Sequence, residues 1–66
     1  MADVDGIRER LEAIAEELAD LAMEALRAAV EAGEEKRPAD ERRLTQARRA
    51  VEKAAGLLKQ GELDGV

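Results

Sequence analysis

Glu17, Asp20, Glu24 and Glu31 recur at helical spacing, with Arg27 completing the steps of three and four. On a helix that spacing draws one narrow polar line. Carboxylates aligned in this way suit two kinds of chemistry. They can hold a hard divalent cation, or act as a general acid–base pair whose pKa values are pushed apart. Di-iron bundles supplement such glutamates with a Glu-x-x-His motif. This chain contains neither His nor Cys, so the usual zinc and transition-metal ligands are missing. The expectation is therefore a solvated stripe, with no metal and no cofactor.

A second group is basic: Arg42, Arg43, Arg48, Arg49 and Lys53. Such a run can grip phosphates, or the acidic surface of a partner. Against nucleic acid stand the net charge of −5 and the absence of any aromatic side chain to stack on a base. Pairing within the chain is the simpler expectation, with Glu24 opposite Arg48 and Glu17 opposite Lys53. Thr45, the single hydroxyl residue, has no activating base nearby in sequence and reads as surface filler. The glycines match no phosphate-binding loop. No catalytic residue is expected.

These side chains must be carried on few elements. Sixty-six residues make one small domain, and chains this short lean on disulfides, metals or association. Without cysteine, and without a metal site, association remains. Ala, Leu, Glu, Arg and Lys dominate, with one Pro, which is a helical composition. No apolar run reaches the roughly 20 residues of a membrane span. The acidic first residues do not resemble a signal peptide, so a soluble, cytoplasmic protein is expected. Residues 1–35 carry eleven acids and three bases (−8), and residues 36–66 carry five acids and eight bases (+3). The two halves can attract each other or outside partners.

The pattern predicts two helices. The first runs from about 4 to 32, capped by Asp3 or Asp5 and ended by Gly33. A charged connection covers 33–37. The second helix runs from about 38 to 60, opening on Pro38 in its first turn, and a frayed tail follows over 61–66. So short a connection predicts an antiparallel all-α hairpin. Ile7, Leu11, Ile14, Leu18, Leu21, Ala25, Ala28 and Ala32 form the expected coiled-coil seam. Leu44, Ala47, Val51, Ala54 and Leu58 are its counterpart on the second helix. Gly56 leaves open a close backbone crossing.

Between Leu18 and Val30 every residue outside the charged line is apolar, more than one neighbouring helix can cover. That leaves Ala19, Ala22, Met23, Leu26, Ala29 and Val30 as the expected oligomer interface. A homodimer forming a four-helix bundle is the simplest closed assembly. The function indicated is a non-enzymatic interaction module, either a homo-oligomeric scaffold or a small subunit docking on a larger protein. Nucleic-acid association through the Arg-rich helix is the alternative.

Overall fold

The computed structural model describes residues 3–59, an all-α hairpin of α1 (Val4–Glu31) and α2 (Ala39–Leu57). Asp3 caps α1: its carboxylate accepts from the Gly6 backbone N–H, and its carbonyl accepts from Ile7 at 3.1 Å. Gly33 ends α1 at φ 79°, in the left-handed region where a side chain would be strained. The Gly33 N–H donates to the Val30 carbonyl at 3.0 Å and the Glu34 N–H to the Ala29 carbonyl at 2.9 Å, a Schellman turn.

Pro38 lies just outside α2 rather than in its first turn. It is extended (φ −66°, ψ 148°) and offers no side-chain cap, while its carbonyl accepts from Arg42. Asp40 and Glu41 meet the positive end of the helix dipole. The helix ends at Leu57, three residues short of expectation. Its final bonds, Leu58 to Ala55 and Lys59 to Gly56, tighten to three-residue steps. The expected stop at Gly61 and the tail over 61–66 lie outside the described residues.

Residues 12–19 of α1 lie beside 48–59 of α2, and residues 19–26 beside 41–48, so the helices run antiparallel. The line of contact differs from the expected seam. On α1 the buried residues are Ala15, Ala22 and Ala29, seven apart, with half-buried Leu11, Leu18 and Ala25 between them. On α2 the contact line is Glu41, Leu44, Arg48, Val51, Ala55 and Leu58. Ile14 and Leu21, placed in the seam by sequence, are 45% and 49% exposed, and Ala28 and Ala47 are exposed as well. The physical reason is size. Alanine on the line of closest approach lets two helices pack backbone to backbone, and larger chains then flank the line. Gly56 plays no part in this approach, because a Cβ added there would meet nothing within 4 Å.

Among the described residues no large side chain is fully buried. The radius of gyration is 15.3 Å, against about 11 Å for a compact domain of this length. The hairpin measures 48 × 26 × 12 Å, so its thinnest direction is about one helix diameter. It is a single layer, whereas stable domains close a core between at least two.

Candidate interaction surface

In an antiparallel pair, flanks of the same rotational sense share one face of the slab. One face therefore carries Ile14, Leu18, Leu21 and Ala25 from α1 with Leu44, Ala47, Val51 and Ala54 from α2. No charge interrupts it from Leu11 to Ala28 on one helix, or from Leu44 to Leu58 on the other, because each of these steps falls on an apolar residue. Of the line expected inside the hairpin, Ile14, Leu21, Ala28 and Ala47 lie on the outside, while Leu11, Leu18, Ala25, Leu44, Val51 and Leu58 are half-buried at its border with the contact.

The opposite correction applies to the expected interface. Ala22 and Ala29 are 7% and 6% exposed and lie within the hairpin, where α2 already covers them. Ala19 is half-buried. Met23, Leu26 and Val30 remain on the surface at 58%, 36% and 67% exposure, on the second face. That face is a groove of mixed character. Towards the loop, a cavity of about 370 Å³ is lined by Ala19, Met23, Leu26, Thr45 and Arg48 among others. Towards the open end, one of about 440 Å³ is lined by Glu12, Glu16, Glu52 and Gly56. Arg48 lines both.

Arg8, Arg43 and Arg48 pair along their own helices rather than across to the other. Arg8 bonds to Glu12 at 3.2 Å and lies 3.9 Å from Asp5; Arg48 pairs with Glu52 at 3.3 Å, and Arg43 with Asp40 at 3.9 Å. All are contacts of one helix turn, worth about 0–1 kcal/mol on an exposed surface. The expected pairs Glu24–Arg48 and Glu17–Lys53 do not form, although the heights match. Glu17 and Glu24 are exposed on the side of α1 turned away from α2, while Arg48 points into the contact. Arg42, Arg49 and Lys53 are exposed on the outer edge of α2. Glu17, Asp20, Glu24 and Glu31 are a solvated stripe, and among the described residues no three acidic side chains converge on a cation position. No helix of these residues is long and apolar enough to cross a membrane.

Sequence reasoning missed one cluster. Glu41 is 7% exposed in the α2 contact line. Arg37 Nε donates to its Oε1 at 2.5 Å, and Thr45 Oγ1 donates to its Oε2 at 2.6 Å. Thr45 is thus a specific donor rather than filler. The available signal was the spacing: Glu41 and Thr45 are four apart, one turn of α2, and Arg37 stands four residues before Glu41 in the connection just ahead of the helix. These two hydrogen bonds, Arg37 first, hold the carboxyl down from 4.5 to about 2 despite its partial burial. A carboxyl lowered in the folded state contributes stability that is whole above its unfolded value of 4.5 and lost as pH falls towards 2. Glu41→Gln should melt below the wild type at pH 7, and the difference should shrink over that acid window. Thermal melts by far-UV circular dichroism at a series of pH values measure it; a gap constant down to pH 2 would show that the charge is irrelevant. Compared with protein-family models, curated proteins and solved structures, the chain matches none of them.

Proposed function

We propose that this chain is a non-enzymatic helical interaction module that completes its core by pairing with a second copy. The observation that carries this reading is the charge-free face of Ile14, Leu18 and Leu21 beside Ala47, Val51 and Ala54, left open on a one-layer slab. Two such faces stacked about a two-fold axis make a four-helix bundle, a self-complementary arrangement that closes without leaving an open edge. Apolar burial contributes about 25 cal/mol per Å² of covered surface, so several aliphatic side chains per copy supply a stability of the order a small domain needs. A cytoplasmic location belongs to the same reading, supported by the highly charged composition.

Sedimentation equilibrium tests it. The expected mass is twice 7.2 kDa at micromolar concentration, with a melting temperature that rises with protein concentration. A well-folded species of 7.2 kDa whose melt ignores concentration would remove the reading.

A further inference from the structure

We propose that the second copy stands parallel to the first, with both connections at one end of the bundle and each α1 packed on the other copy's α2. This orientation rests on the self-pairing proposed above. Two slabs stacked face to face with aligned helices can be related by a two-fold axis in two directions. An axis along the helices lays α1 over the second copy's α2. An axis across them lays α1 over α1 and α2 over α2, with the connections at opposite ends.

Bulk separates the two. On the charge-free face α1 presents Ile14 and Leu21, 45% and 49% exposed, whereas α2 presents Ala47 and Ala54. Ala15 lies beside Ala55 and Ala22 beside Arg48, so Ile14 is level with Ala54 and Leu21 with Ala47 to within about 3 Å. Rotation about an axis along the helices preserves height. It sets each large side chain of one copy against an alanine of the other, the alternation that close packing favours. The axis across the helices sets the large residues of α1 against each other and alanine against alanine. That would spread one pair of helices and leave a gap along the other.

Charge selects the same orientation. Three residues on from Ile14, Leu21 and Ala28, away from α2, stand the exposed Glu17, Glu24 and Glu31, with Arg10 seven residues before Glu17. The matching edge of α2 carries Arg43 and, farther round, Lys53, both exposed; Asp40, 3.9 Å from Arg43, stands at its loop end. Within one hairpin Glu17 and Lys53 are level but on opposite outer edges. The axis along the helices brings the second copy's Lys53 over Glu17, and its Arg43 between Glu24 and Glu31. Charges flanking an apolar seam set orientation in this way. The axis across the helices runs two lines of glutamate together, relieved by Arg10 alone.

The chain has no cysteine, so Lys36→Cys gives a single labelling site in the connection. Double electron–electron resonance between nitroxides there should read the spacing of adjacent helices, about 10 Å, plus the two label arms. The other orientation puts the labels near the 48 Å length of the hairpin apart. Glu17→Lys, at an exposed position, should keep its helix by circular dichroism and raise the dimer dissociation constant about threefold or more in sedimentation. Adding Lys53→Glu should restore it. In the other orientation Glu17→Lys puts a cation among the second copy's glutamates and tightens the dimer. A dimer with labels near 48 Å apart, a Glu17→Lys dimer as tight as the wild type or tighter, or no rescue by Lys53→Glu overturns the orientation and leaves self-pairing standing. A 7.2 kDa monomer overturns both.

Discussion

Leu21→Glu should disperse the proposed pair of hairpins and unfold most of the chain. Leu21 is half exposed on one hairpin, at the middle of the charge-free face, and in the proposed pair a two-fold partner would bring a second Leu21 into the same interface. Removing each leucine forfeits about 1.5–3 kcal/mol of burial. Placing two carboxylates there without partners adds a desolvation penalty to that. The sum is comparable with the whole stability of a domain this size, about 0.1 kcal/mol per residue. The control is Ala50→Glu, on an exposed position of α2 away from the contact line. It should leave mass and melting temperature unchanged. Circular dichroism and sedimentation at matched concentrations decide the matter, and a folded Leu21→Glu chain with wild-type mass is the result that defeats the interface.

The second large effect comes from filling space rather than from charge. Ala22 is 7% exposed at the centre of the contact between the helices. Ala22→Leu inserts three carbon atoms where only a methyl group fits, which should push the helices apart at a cost of about 1–3 kcal/mol. In a domain this small that lowers the melting temperature by about 4–8 °C per kcal/mol. Ala28→Leu, six residues later, falls on the exposed flank and should be neutral or stabilising. Denaturant melts should show the Ala22 variant with a lower midpoint and an unchanged slope. If the two leucine variants melt alike, the alanine line is not the line of closest approach.

The hairpin itself was legible because its signals are local. Asp3, Gly33 and Pro38 each act on the backbone within a few residues, and the bounds of α1 fell close to their expected places. The face was not legible, for a geometrical reason. Steps of four and three fit α1 in two ways, as 11, 14, 18, 21, 25, 28 or as 11, 15, 18, 22, 25, 29. Both share Leu11, Leu18 and Ala25, and every position in both is apolar. A sequence read for bulk selects Ile14 and Leu21, whereas close packing selects Ala15 and Ala22. On α2 the same ambiguity sets Ala47 and Ala54 against Arg48 and Ala55. So Ile14, Leu21, Ala28 and Ala47 moved from the expected seam to the surface and Ala22 and Ala29 from the expected interface into the contact, and the charge pairs drawn across it were lost with that rotation. Glu41 was hidden for the converse reason: nothing in a carboxylate's identity says that two donors one turn away on either side will let it sit in an apolar contact.

The Schellman turn at Gly33 also sets the order in which the molecule assembles in time. Only residues 32–38 separate the two helices, so the first contacts between them, near Ala29 and Glu41, close a very short loop. Loops of that length close in about 10–100 ns, and folds dominated by local contacts are rapid. Each later contact between α1 and α2 is then the next rung away from the turn, so the hairpin zips from Gly33 towards Asp3 and Leu58 without a long search. In the proposed pair the slow step would be the meeting of two zipped chains, a bimolecular encounter whose rate falls with dilution while the zipping does not.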